Sequence, residues 1–595
     1  MVGTFTWLLV ALIAVSVIAM WAERTGRLPE SVNVSGPLIT LHTGRGRDLL
    51  DRLAGPKRLW RAWGNLGLGF AAVVAVAMFG VIGTSIANLL QNPSIQLDYQ
   101  PRHMLVIPGV NEYLPLAAAP AIVAALLVAL VVHEGGHGLL CRVEDIDIDS
   151  LGLVFLGPIP MGAFVAPDED SQIAADRGAQ ARMFAAGVTN NLAITIVALL
   201  LLFGPVMGSV AVADGVPVGQ TYRGSPADEA GLTFGDRITS VEGEAVADRD
   251  AFDAALANES DRRVTVGLAD GREVALDRSV MLVRAVPAVF EPINTSGGPT
   301  IHAVNGTTVR TTAEFEAAVE NHSLARIETS GGTATVPIGA LAAGVDPDGP
   351  FGTATGLGTD DPVVITRLGG ERVVSYEAFI DRFRAPNFAP EDRVDIEYYR
   401  LDGGRETATV RLGADAENAS DPHLGVGGLR PGYSSAGVGE VGLETYPAER
   451  YAATLTSETP LADLVSGDFL LRLGAILFLP FVAMLPMSAG EGFAGFIDPV
   501  ANFYVIEGPL AGLGGLVFTL ANVLFWTGWV NVNLAFFNCI PAFPLDGGHL
   551  LRVGTEGVLS RTRFNSRSAV RVVTTTIGLV MGAGLLVMLF GPMLL

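Results

Sequence analysis

The chain has almost no lysine. Of its 38 basic residues only Lys57 is one, and arginine supplies the rest. Against them stand 61 acidic residues, for a net charge of −23. A surface of that sign repels phosphate backbones, so nucleic acid is excluded as a partner. Cysteine is nearly absent too. Cys141 and Cys539 are the only two in 595 residues, and both fall in apolar runs. Two thiols make no disulfide framework, and each reads as a small buried hydrophobe. Charged residues of either sign are few, 17% against 50% hydrophobic. That balance excludes a wholly soluble protein, and the length excludes a single domain. The acidic excess lies mainly in the middle of the chain and reads as a surface kept hydrated in high salt.

What is present is a series of apolar runs near the roughly 20 residues that cross a bilayer. They are residues 5–21, 66–90, 117–141, 183–210, 469–487, 513–540 and 572–595. The first lacks a positive leading region and a clean cleavage site, so it reads as an anchor retained in the chain. The fold class is therefore a polytopic α-helical membrane protein of about six to seven spans, carrying an inserted α+β region. Residues 43–63 hold Arg45, Arg47, Arg52, Lys57, Arg58 and Arg61, and residues 552–571 are also basic. By the positive-inside rule both are cytoplasmic. Counting crossings from the first loop puts the end of the third run towards the cytoplasm and the middle region outside. An odd number of crossings must then follow, whereas two runs are available between 466 and 550.

The third run ends in His133-Glu134-Gly135-Gly136-His137. Residues four apart share a helix face, so both imidazoles reach one metal ion, with Glu134 beside them to take a proton from water. Ionisable groups in a membrane span are costly and functional by default. Gly135 and Gly136 each cost about 1 kcal/mol in a helix relative to alanine, which points to a second backbone packed tightly there. A zinc site needs a third protein ligand. Far downstream, Asn538-Cys539-Ile540-Pro541-Ala542-Phe543-Pro544-Leu545-Asp546-Gly547-Gly548-His549 ends another apolar run. Its Asp546 is a carboxylate at the membrane rim whose presence a metal would explain. Cys141 is rejected as a ligand, and His549 is a neighbour of the site.

The middle region, 212–446, repeats. Ile238, Val241, Gly243, Val246 and Phe252 recur at the same offsets as Ile301, Val304, Gly306, Val309 and Phe315. They recur again as Ile365, Leu368, Gly370, Val373 and Phe379. Each unit reads as strand, glycine turn, short strand and amphipathic helix, followed by two strands around Asp270-Gly271, Gly331-Gly332 or Gly403-Gly404. The first unit opens with Gly224-Ser225-Pro226-Ala227, then Ala230-Gly231-Leu232 and Gly235-Asp236. This resembles a PDZ domain of the bacterial protease type, which binds extended peptides or peptide C-termini by strand addition. The other two units look like degenerate copies.

The two motifs together resemble the site-2 proteases, the intramembrane zinc metalloprotease family. The family pattern is His-Glu-x-x-His on one helix and Asn-x-x-Pro-x-x-x-Leu-Asp-Gly on another. Here those are 133–137 and 538–547, without mismatch. The resemblance implies one Zn2+ per chain on His133, His137 and Asp546, with Glu134 as general base. It implies that residues 157–165 form a membrane-embedded hairpin whose edge holds the substrate. Ala186-Gly187-Val188-Thr189-Asn190-Asn191 is similar to the family's Ala-Gly-Pro-x-x-Asn, with Val188 where proline is usual. It assigns Asn191, or else Asn190, to the oxyanion. The implied partners are single-span membrane proteins and the lipid bilayer, and the implied location is the cell membrane. The domains read as 1–65, anchor and basic loop; 66–211, first membrane half; 212–285, 286–345 and 346–414, the three repeats; 415–465, a linker; and 466–595, second membrane half. Rival readings are a membrane zinc protease of another clan, completed by a downstream Glu, and a PDZ-bearing adaptor with a relic metal site.

Overall fold

The computed structural model describes residues 4–29, 31–91, 105–111, 113–157, 159–284, 298–384, 388–400, 404–415, 420–429, 437–457, 459, 461–463, 467–484, 492–563 and 566–594. The chain forms two units. One joins residues 1–212 to 449–595, and the other is 213–448.

The first unit is built on α1 (Thr4–Arg24), α2 (Lys57–Gln91), α3 (Ala119–Val143), α4 (Arg177–Leu201), α5 (Leu516–Asn538), α6 (Asp546–Leu559) and α7 (Arg567–Leu594). Among the described residues, five helical stretches are long and apolar enough to cross a membrane. They are Lys57–Asn88, Leu116–Val143, Arg177–Ser209, Leu516–Asn538 and Arg567–Met588. The protein is a multi-pass membrane protein with an inserted β-rich region. The expected span at 469–487 is corrected. Its helix, Asp468–Phe478, lasts 11 residues and gives way to a 3₁₀ turn, Leu479–Met484. Eleven residues reach about 16 Å, half of a bilayer core. Pro480, with no N–H to give and a ring that clashes with the preceding turn, is the reason the helix stops. Residues 485–487 lie outside the described residues.

Helix boundaries follow local chemistry. Pro120 sits in the first turn of α3, where its missing N–H costs nothing. Asp176 caps α4 by accepting the Ala179 N–H at 3.0 Å. α3 packs against α4 and α5, and α5 is the most enclosed of the spans while α7 is the most peripheral. Beside α3 lies a four-stranded antiparallel sheet in the order β1 (Val32–Ser35), β2 (Leu38–His42), β3 (Ile148–Leu156) and β4 (Ile159–Pro167). The hairpin expected around 157–165 is thus the β3–β4 hairpin, with Pro158 outside the described residues. β4 is the edge strand and lies against α3.

Among the described residues, the second unit holds three larger antiparallel sheets, each closing over its own apolar cluster, and three two-stranded antiparallel pairings. The repeated turns have one geometry. Glu242-Gly243, Asn305-Gly306 and Gly369-Gly370 take φ of 47° and 83°, 51° and 81°, and 61° and 82°. Both central residues are left-handed, as a two-residue hairpin turn requires. The repeated apolar positions, from Ile238 to Phe379, are all buried. Within 415–465, the strand Leu443–Thr445 pairs with Val216–Thr221 and completes the first sheet. Residues 285–297 and the Gly403 turn residue lie outside the described residues.

Candidate metal centre

His133 and His137 sit one turn apart near the end of α3, their rings crossed at 81° with centroids 4.8 Å apart. Their Nε2 atoms are 3.2 Å apart. Asp546, the first residue of α6, brings Oδ2 to 3.1 Å from His133 Nε2 and 3.3 Å from His137 Nε2. The sequence separates these side chains by more than 400 residues, and the fold brings them to one point. All three are largely buried, with side chains 7 to 12% exposed.

The local chain explains how α6 delivers Asp546. The turn after α5 carries Pro541 and Pro544, which end the helix. A side chain at Gly547 would sit 2.5 Å from the Cys539 carbonyl, and one at Gly548 would sit 2.8 Å from the backbone of Ala542. Only glycines let α6 begin hard against that turn.

Two observations fit this donor set to a metal ion. His137 Nδ1 lies 2.8 Å from the Met183 carbonyl. A carbonyl only accepts, so Nδ1 carries the proton and Nε2 presents a lone pair towards Asp546. Among the described residues, the Asp546 Oδ2 and the His133 Nδ1 are buried without a hydrogen-bond partner. A carboxylate oxygen facing an imidazole lone pair at 3.3 Å is repulsive and desolvated unless a cation lies between them. Two imidazoles and one carboxylate are a zinc-type donor set. Among the described residues these three form the grouped metal-binding side chains. Cys141 is buried and free and is not one of them.

The surrounding residues hold this arrangement. A side chain at Gly187 on α4 would lie 2.6 Å from both His133 Cε1 and His137 Nε2. One at Gly136 on α3 would lie 2.8 Å from the Ala186 carbonyl. The two glycines therefore make a close crossing with the imidazoles inside it. Gly135 meets nothing within 4 Å. Glu134 accepts the Val165 N–H of β4 at 3.0 Å. Asn191, fully buried, has the end of its amide 3.3 Å from the Ala129 carbonyl and 3.2 Å from the Gly187 carbonyl, and with Nδ2 turned to that side it donates to both. Asn190 accepts the Trp63 indole N–H at 2.9 Å and donates to the Val132 carbonyl at 3.3 Å. His549 stacks on Phe184, with centroids 4.5 Å apart. The Met183 carbonyl and the Val165 amide escaped sequence reading because backbone groups carry no residue signature. Gly187 was open to it, as a small residue facing a helix that bears two bulky ligands.

A family model described as Peptidase family M50 matches residues 121–583. A Neisseria meningitidis serogroup A protein, named as a candidate zinc metalloprotease, is 24% identical over 467 residues, covering 74% of this chain and 90% of its own. The zinc metalloprotease RasP of Oceanobacillus iheyensis is 26% identical over 217 residues, 36% of this chain and 42% of the relative. An uncharacterised protein of Methanocaldococcus jannaschii is 28% identical over 166 residues, 27% of this chain and 42% of its own. The last two are matched over less than half their length.

Proposed function

This chain belongs to peptidase family M50, the site-2 protease family of zinc metalloproteases, and from that premise we propose that it cleaves the transmembrane segments of membrane-anchored proteins. The observation that carries the proposal is the convergence of His133, His137 and Asp546 at the meeting of α3 and α6, beside helices long enough to span lipid. One zinc ion per chain would be held by these three side chains. Zinc held there supplies Lewis acidity enough to bring the pKa of water to about 7.

The chain's own groups do the rest. Glu134 is the general base. It takes the proton from the attacking water and returns it to the leaving amine. The Val165 N–H fixes the orientation of its carboxylate. Asn191 binds two helix carbonyls, and it would have to exchange one of them to donate to an oxyanion. A substrate helix hides its carbonyls in its own hydrogen bonds, so it must unwind locally before attack. β4, an edge strand beside Glu134, offers the unwound stretch a backbone to pair with.

The first repeat, as a PDZ-like module, is proposed to bind peptide C-termini or extended segments. The basic stretches at 43–63 and 552–571 favour a cytoplasmic face for the metal centre and an external middle region. Among the described residues, α5 is the single long helix between the middle region and Arg552, which is consistent with the odd parity this reading needs.

Glu134→Gln tests the reading. In cells, fragments of single-span proteins made by the intact enzyme should vanish, with turnover down about 10²–10⁴-fold and zinc content unchanged. Asp546→Ala should lose both zinc and activity. An adaptor with a relic site keeps its cellular effect in the first variant, and a protease of another clan keeps zinc in the second.

A further inference from the structure

Met183, Gly187 and Asn190 lie on one face of α4, spaced by four and three residues, and all meet the metal-bearing part of α3. Met183 orients His137 through its carbonyl. Gly187 leaves the two rings their space. The work of Asn190 is less obvious. Its Nδ2 donates to the carbonyl of Val132, the residue just before His133, and the same atom lies 2.8 Å from where a Gly136 side chain would begin. The amide therefore spans the turn His133–Gly136.

That hydrogen bond is surplus to helix formation, because the Val132 carbonyl already faces the N–H four residues on within α3. A partly buried amide inside a membrane span is expensive to keep for such a purpose. The two ligands explain it. His137 has an orienting acceptor at Nδ1, whereas the His133 Nδ1 has no partner. His133 must take its direction from its backbone. Trp63, on α2, completes the device. Its indole N–H only donates, so its 2.9 Å bond to Oδ1 sets which end of the Asn190 amide faces Val132.

We propose that Trp63 and Asn190 are positioning residues, a relay from α2 through α4 that fixes the His133 backbone and hence the aim of its imidazole at the metal. The inference rests on the metal reading above. Partners one step removed from metal ligands typically change affinity 10- to 100-fold when lost.

The test uses full-length protein in detergent loaded with Co2+, whose visible d–d bands report ligand geometry. Asn190→Asp keeps the acceptor for Trp63 and removes the donor to Val132. Trp63→Phe keeps an aromatic ring, smaller than the indole, and removes the N–H. Asn190→Asp should weaken Co2+ binding about tenfold and shift the bands. Trp63→Phe should do the same to a smaller degree. The double variant should be no worse than Asn190→Asp alone, since one path is cut twice. Should Asn190→Asp fail to fold, Trp63→Phe decides alone. Unchanged bands and affinity, with only a lower melting temperature, would overturn the relay, as would effects that multiply in the double variant. A wild-type chain that takes up no Co2+ overturns the metal reading and the relay together.

Discussion

Gly187 shows how much of a metal centre rests on a side chain that is absent. A methyl group there would start 2.6 Å from one atom of each imidazole, well inside van der Waals contact. The His137 ring is not free to retreat, because it is tied to Met183 on the same helix. Gly187→Ala should push α3 and α4 apart at an overpacking cost of about 1–3 kcal/mol. Zinc affinity should fall by roughly 5- to 100-fold at that cost, read by competition with a chromophoric chelator. Ala186→Gly, one residue away and without an imidazole contact to lose, is the control and should leave affinity near wild type. The three proposed ligands were open to sequence reading because their residue types are rare in lipid and the spacing of His133 and His137 matches a helix face. Gly136 also met its expectation of a close backbone, whereas Gly135 did not. Nothing in the residues of Asn191 told whether its amide would face the metal or the helix carbonyls, since either satisfies a buried amide.

At the scale of elements, periodicity served the repeated unit well and the membrane runs less well. The glycine turns at Gly243, Gly306 and Gly370 were readable because tight two-residue hairpins need at least one central residue with positive φ, which glycine supplies most readily. Hydropathy alone marked 469–487 as a span, and it ignored the proline that ends the helix at Phe478. The stretch 415–465 reads as a linker from its glycine content, yet Glu440 inside it is part of the second unit's most buried ion pair. Arg278 Nη2 lies 2.6 Å from Glu440 Oε1, and the guanidinium also donates to the carbonyls of Leu256, Glu259 and Asp261. Burial pushes the Glu440 carboxyl above its usual range even with Arg278 alongside. A raised carboxyl contributes stability that is present at low pH and lost as pH climbs through the raised value. Arg278→Met strands the carboxylate. It should cost about 3–5 kcal/mol, and more at pH 8 than at pH 5, where protonation relieves it. Hydrogen exchange in Arg263–Leu268 and Leu443–Thr445 reads the loss. Pairing the change with Glu440→Leu should restore most of it.

On the scale of the whole molecule, the two units divide the work the sequence implies. The membrane unit holds every proposed catalytic group, and the acidic inserted unit holds none of them. A filter is the role that suits such an insertion. A first repeat that binds peptides, as proposed above, would admit substrates whose exterior has already been trimmed and hold back intact ones. The boundaries of the test follow from pairing. Removing only 216–412 would leave Leu443–Thr445 without its partner strand Val216–Thr221 and Glu440 without Arg278. An orphaned edge strand invites aggregation, so loss of activity there would say nothing about filtering. Excision of 213–448, the whole second unit, with a short Gly-Ser linker in its place, leaves the metal centre's residues and their hydrogen-bond partners intact. Cleavage of trimmed substrates should then persist at a comparable rate, and cleavage of untrimmed ones should rise towards it. Selectivity that survives the excision would assign the choice of substrate to the membrane unit instead, with the β4 edge beside Glu134 the first place to look.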